Sequence, residues 1–403
     1  MMKNWNWSVV VSLTILPAIL LAEPGDGIRL DNITLSPYLG VSATRDSNVY
    51  NAPADETSDT FFDIGAGLKA DYQVNDLLAD GLFFFNHRAY SSESDLDFSA
   101  GGEMINLNYG NRDRIELKIG ESFRRAEDID MVRLGGVAIG GISSDSLLDS
   151  SSRATRDIGQ VAVGVGRNLS DKVDLDVGYR YDDVKYDDAS LAHISGNSVS
   201  AESGVKVTDK TAGTLTAIYG VQKTAGAADE NTSIAIRAGA KTLGTEKVTF
   251  KAGIGVLVYD RAIGGNSDSE NIASYDLQAN WKATDKLGIT LGGANGIQSS
   301  SVYVNNPAEF NMLWLSGSFA ATPAAVVSAG VTYRQDSYLD QVEIAGVMTD
   351  RTDDGISGNV RVDVKPRGLK FVNLFGEALY QSVNSDVSDF DDTRIAIGAN
   401  VHY

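Results

Sequence analysis

Ile115-Glu116-Leu117-Lys118-Ile119-Gly120 alternates apolar and polar side chains, and Val173-Asp174-Leu175-Asp176-Val177-Gly178-Tyr179 does the same. A period of two sends successive side chains to opposite faces of a β-strand. One face of each segment is therefore greasy, while the other carries full charges. The same unit recurs from Asn32 to Tyr403, with breaks that alternate between very short and long. In a soluble sandwich the greasy face packs on a second sheet; here nearly every strand carries one. The pattern predicts an all-β fold, a transmembrane antiparallel up-and-down β-barrel with lipid outside and water inside.

Reading the outward-facing sets in turn gives eighteen strands. The first carries Ile33, Leu35, Leu39 and Val41; the last carries Ile395, Ile397, Ala399, Val401 and Tyr403. Phe371, Phe375 and Leu379 are read as the outward set of the seventeenth. Leu313-Trp314-Leu315 leaves the face of the fourteenth undecided, so sixteen strands is the alternative count. Tyr72, Tyr109, Phe250, Trp281, Phe319, Phe371 and Tyr403 fall near short turns or the chain end. Phe123, Tyr179, Tyr219, Tyr275 and Tyr333 fall toward the opposite strand ends. Two aromatic belts around an aliphatic band suit two membrane–water interfaces.

Residues 1–22 read as a signal peptide: Lys3 is basic, Val9 to Leu21 is apolar, and Ala22 is small. That run is too short for a spanning helix. Residues 23–31 are expected to be a short periplasmic lead, and 32–403 the barrel. The chain has no cysteine, so disulfides and thiolate metal sites are excluded. Seven prolines suit a strand-rich chain, because proline cannot donate to a ladder.

The nine longer breaks (45–59, 91–97, 125–157, 182–190, 225–230, 260–270, 299–309, 335–354 and 383–392) carry a net −25, against −20 for the whole chain. The acid is thus expected on the outer rim, where it concentrates cations. Asp386, Asp389, Asp391 and Asp392 crowd one loop, a candidate site for a hard divalent ion; the bland alternative is a solvated loop. The opposite face of the strands carries Lys118, Asp174, Asp176, Arg180, Arg237, Lys251, Arg361 and Asp363, the expected lining of the lumen. So many ions in a dry interior would be prohibitive, which predicts a wet barrel or charges paired across a narrow one.

No catalytic constellation emerges. His87, His193 and His402 lie apart, with no serine and acid to complete a triad. Gly164-Val165-Gly166 and Gly253-Ile254-Gly255 sit mid-strand, where they reduce bulk rather than cradle phosphate. Basic patches interleaved with aromatics are absent, which argues against nucleic acid. The chain reads as a non-enzyme without a cofactor.

Ser36-Pro37-Tyr38-Leu39-Gly40-Val41-Ser42, Arg45-Asp46-Ser47-Asn48-Val49 and Asp63-Ile64-Gly65-Ala66-Gly67-Leu68 resemble the opening of a porin-like outer-membrane β-barrel family. Its members are often encoded beside exopolysaccharide biosynthesis and export genes of Gram-negative bacteria. The specific likeness covers about forty positions; the rest matches in strand rhythm. It implies a bacterial outer-membrane location and a pore for hydrophilic solutes or secreted exopolysaccharide. Tyr403 looks like the terminal signal read by the barrel-assembly machinery, so that machinery and outer-membrane lipids are the expected partners.

The third long loop, residues 125–157, is the one that narrows the lumen in general porins, which this chain resembles in architecture. Its Arg125, Arg133, Val137 and Ile139 are constriction candidates, with the flanking arginines expected to pair with Asp174 or Asp176. The alternative is a hairpin projecting outward. The competing class for the whole chain is a structural or adhesive barrel with a closed lumen and acidic loops that bind cations or envelope partners.

Overall fold

The computed structural model of the chain describes residues 27–126, 142–143, 154–226, 230–243, 247–263, 266–303, 306–344, 346–386 and 389–402. The expected signal segment, the loop residues Arg133, Val137 and Ile139, and Tyr403 lie outside the described residues.

The long strands begin with β1 (Ile33–Asp46), β2 (Asp59–Val74), β3 (Leu77–Tyr90), β4 (Phe98–Asn111), β5 (Ile115–Ala126) and β6 (Arg156–Ser170). They continue as β7 (Val173–Tyr186), β8 (Ile194–Thr208), β9 (Thr211–Thr224), β10 (Asn231–Thr242), β11 (Val248–Ile263) and β12 (Asn266–Lys282). The last six are β13 (Leu287–Gln298), β14 (Ala308–Thr322), β15 (Ala325–Tyr338), β16 (Thr352–Val364), β17 (Val372–Ser385) and β18 (Phe390–His402). Each pairs antiparallel with the next, and β18 returns to β1, from His402 opposite Tyr38 to Arg394 opposite Asp46. The barrel is closed with eighteen strands, not sixteen.

Closure leaves one gap. β18 stops opposite Tyr38, so the first residues of β1 have an open edge with unpaired backbone groups. Ile28–Leu30, inside the stretch expected to be a short periplasmic lead, fills it as a short strand with Ile28 opposite Leu35.

Four of the short turns share one device. Ser170, Thr208, Thr284 and Thr322 each accept, on the side-chain hydroxyl, the backbone N–H two residues on, at 3.2–3.3 Å. A hydroxyl in this position mimics a backbone turn. The tripeptides Ser170-Asp171-Lys172, Thr208-Asp209-Lys210 and Thr284-Asp285-Lys286 therefore encode the reversal directly. Asn75, at φ 49°, supplies the left-handed residue of the β2–β3 turn.

One face of the wall is apolar and open: Ile254 and Ile397 are 68% and 67% exposed, and Leu39, Val41, Ile64, Leu215 and Ile236 follow. Leu313 and Leu315 belong to this face, which turns Trp314 inward. The outward set of β17 is Leu374, Ala378 and Tyr380, opposite in parity to the expectation. Phe375 points inward beneath the Arg361 guanidinium, 4.0 Å from the ring centre. The misreading arose because both faces of that strand carry large apolar residues.

Burial is concentrated at the long-loop end. Val49, Phe61 and Tyr90 form one inward cluster; Ala308, Tyr338 and Val342 form another. Ile218, Ala235, Leu257, Tyr259 and Ile272 line the inner face of β9–β12, and Ile297 of β13 packs on them. That contact requires β13 to leave the wall. Its pairing with β12 ends at Ala294 opposite Asp276, and beyond that point it turns into the lumen. Residues 142–143, from the β5–β6 connection, pair in parallel with residues 297–298 on the edge thus freed. The expected break at 260–270 is mostly strand, since the β11–β12 ladder runs to Ile263 opposite Asn266.

Candidate functional site, the barrel interior

Contacts between non-adjacent strands occur only on the concave side of the wall, and the charged side chains make many. Lys241 on β10 reaches Asp174 on β7 at 3.1 Å and Glu202 on β8 at 3.2 Å. Lys251 on β11 meets the other oxygen of Glu202 at 2.6 Å. Arg237, almost fully buried, donates to Ser274 Oγ at 2.7 Å and lies 4.0 Å from Asp276. Lys118 pairs with Glu116 at 3.1 Å, Arg180 with Asp182 at 2.7 Å, and Arg361 with both Asp363 (2.9 Å) and Glu377 (3.2 Å). All eight residues expected to line the lumen thus stand on the inward face, each beside an opposite charge. Asp176 takes its charge from an unexpected source.

Arg112, a residue of the β4–β5 turn, folds back into the lumen and contacts both Glu116 (3.3 Å) and Asp176. The hydrogen bond to Asp176 raises its proton affinity above the ordinary arginine value. Gly166 makes room for this triad: a Cβ there would stand 2.8 Å from Asp176 Oδ1 and 3.2 Å from Arg112 Nη2. The mid-strand glycine does reduce bulk, and it does so over an ion cluster. A second, smaller consequence is a cavity of about 350 Å³ lined by Lys118, Asp176, Glu202, Arg237, Lys251 and Asp276.

Toward the long-loop end the ions are buried rather than solvated. Arg334 and Asp336 pair at 2.7 Å, and Gln298 of the inturned β13 donates to Asp336 at 2.6 Å. Arg351 pairs with Asp353 at 2.9 Å and donates to Tyr303 and Ser385. Arg394 lies between Asp392 (2.6 Å) and Asp46 (3.2 Å). Much of the acid expected on a free rim is therefore neutralised inside the mouth.

Two expectations fail here for the same reason, strand parity. Asp391 accepts from the outward Tyr380 hydroxyl at 3.1 Å, whereas Asp392 faces inward and Asp389 accepts the Ser385 backbone N–H. The four aspartates, Asp386 included, do not converge, and no group of three or more metal-ligating side chains occurs among the described residues. Arg125 shares its face with Phe123, so it pairs with Asp157 at 3.1 Å and with Asp187, not with Asp174 or Asp176.

The segment filling the mouth was not singled out from sequence. Gln298, Ser299, Ser300 and Ser301 are all buried, and the Ala192 N–H in the β7–β8 connection donates to the Ser301 carbonyl at 2.9 Å. The signal was present: after Leu291 the run Gly292-Gly293-Ala294-Asn295-Gly296 has no outward apolar residue larger than alanine. The buried pairs had one too, the repeated Arg-x-Asp spacing at Arg180, Arg334, Arg351 and Arg361, which puts both charges on one face.

No family model matches the chain, and no curated protein matches it. Among solved structures it is similar to the outer membrane protein OpdK of Pseudomonas aeruginosa, at 12% identity over 92% of this chain and 99% of that one, with a TM-score of 0.47. It is similar to a BenF-like porin of Pseudomonas fluorescens Pf-5 at 12% identity, covering 93% and 100%, with a TM-score of 0.48. A loop-deletion mutant of OmpT, an outer membrane protein of Vibrio cholerae, matches at 14% identity, covering 93% and 100%, with a TM-score of 0.37.

Proposed function

We propose that the chain is an outer-membrane channel for small hydrophilic solutes, exported across the inner membrane on its signal peptide. The observation that carries this reading is the pairing of an open apolar outer belt with an ion-lined inner face in one closed barrel. Lipid covers the first and water hydrates the second. Pure protein in planar bilayers gives discrete conductance steps; folded protein that leaves the bilayer sealed overturns the proposal.

The packed mouth favours a second reading, a barrel closed at rest that serves as an adhesive or structural element. Conductance measured with and without the mouth segment separates the two. Passage of an exopolysaccharide chain is the finer form of the channel proposal. It draws its support from the resemblance of residues 36–68, and it requires residues 295–303 to move aside. Genes for polysaccharide synthesis beside this one would strengthen it, and unaltered polysaccharide secretion in a deletion strain would sink it.

A further inference from the structure

The two sides of the lumen differ in chemistry. The wall from β5 to β12 carries most of the paired lumen ions described above, and Arg361, Asp363 and Glu377 form a further group on β16 and β17. The wall from β12 to β16, just below the inturned end of β13, holds a separate cavity of about 440 Å³. Its inward lining is Asn280, Thr290, Ser316, Ser318, Thr332 and Asn359, with glycines between them. Lys282, at the short-turn end, is the sole charged residue of that lining. The volume falls within the range of small-molecule sites, about 300–1,000 Å³.

Trp314 stands in this cavity. The outward Leu313 and Leu315 on either side fix its direction, so the indole faces water-accessible space rather than the lipid belt that the other outward aromatics join. The ring rests on Gly292 of β13, where an added Cβ would collide with Cζ2 and Cε2 and lie 2.7 Å from Nε1. A glycine at that register position is therefore the seat of the ring. Beside it, Thr290 donates to Asn280 Oδ1 at 2.9 Å and Asn280 Nδ2 donates to Thr249 at 3.3 Å, which holds the amide in place.

We infer that this wall binds an uncharged saccharide, with Trp314 as its platform. A pyranose presents an apolar C–H face and a rim of hydroxyls that both donate and accept. An aromatic ring covers the first, and neutral amides and hydroxyls match the second without demanding a counter-charge. An ammonium solute would leave its charge uncompensated here, and a carboxylate would find only Lys282, at the short-turn end, so both would prefer the wall that carries the paired ions. This inference rests on the channel reading and adds the class of solute to it.

The test uses the full-length barrel in planar bilayers with maltotriose as probe and gluconate as the anionic control. Maltotriose interrupts the ion current in a concentration-dependent way. Trp314→Ala raises its half-blocking concentration by about tenfold, Trp314→Phe by less, and Trp281→Phe, on the lipid face, leaves it unchanged. Heat-modifiable migration verifies that each variant is folded. A conducting wild type that maltotriose does not interrupt, an equal half-block in Trp314→Ala, or an equal block by gluconate overturns the inference and leaves the channel standing. A folded wild type without conductance overturns the channel. In that case the emission of Trp281→Phe in detergent decides the saccharide site alone: a shift on adding maltotriose supports it, and none refutes it.

Discussion

The Ala192 N–H and the Ser301 carbonyl meet at 2.9 Å, although their connections leave the wall at β7–β8 and at β13–β14. A single hydrogen bond is worth about 0.5–1.5 kcal/mol net, so this contact alone does not hold the mouth shut. The inturned β13, the packing of Ile297 and the parallel pairing of residues 142–143 act with it. Replacing residues 299–307 by Asn-Gly, a turn suited to a two-residue hairpin, is expected to raise single-channel conductance several-fold. The β13–β14 ladder, which resumes with Gln298 opposite Ala308, should survive.

Removal of residues 132–142 is expected to raise conductance too. Because the stretch containing residue 142 sits on residues 297–298, the two deletions affect one obstruction. Combined, they should give less than the sum of their separate increases. Fully additive conductances would show that the β5–β6 connection and the β13 end act apart.

The Arg334–Asp336 pair tests whether the buried ions hold the mouth together. Both side chains are nearly inaccessible, at 3% and 0%. Arg334→Ala takes the counter-charge from a buried carboxylate and is expected to cost about 3–5 kcal/mol, read from urea unfolding of the barrel in thin bilayers. Arg334→Met with Asp336→Leu removes both charges and should cost much less. The Arg334 guanidinium also lies over the Phe310 ring, 5.3 Å from its centre, so equal losses in the single and double variants would mean that this packing, not charge, sets the stability.

The barrel was legible because its strands obey one rule, a period of two with lipid on one side. Where that rule had a clear apolar set, as in β5, β7 and β11, the face followed directly. It failed at β17, where Phe375 and Leu374 compete for the outward face, and at β13, where small residues erase the pattern. The lumen ions were legible by parity, but their partners were not. Arg112 belongs to a turn, and no spacing rule predicts that a turn residue folds back between Glu116 and Asp176. Trp314 was hidden by its leucine neighbours. The mouth was least legible, since it depends on contacts between segments more than a hundred residues apart, such as Ala192 with Ser301.

The charged wall sets a sign for selectivity. Glu202 lies between Lys241 and Lys251, at 3.2 and 2.6 Å, so Glu202→Gln leaves Lys241 with Asp174 and takes from Lys251 the carboxylate it meets. Arg112 lies between Glu116 and Asp176, so Arg112→Ala leaves carboxylates in excess, partly offset by Lys118. The first change adds net positive charge to the lumen and the second removes it. Across a KCl gradient, the zero-current potential should shift toward anion preference in Glu202→Gln and toward cation preference in Arg112→Ala. Both shifts should shrink as the screening length falls from about 10 Å at 0.1 M to about 3 Å at 1 M salt. The mouth acids Asp46, Asp336, Asp353 and Asp392 are already paired with arginines, so neutralising the half-buried Asp354 or the exposed Asp386 should move the potential less than either lumen variant. A larger effect from these loop acids would return control of selectivity to the outer rim.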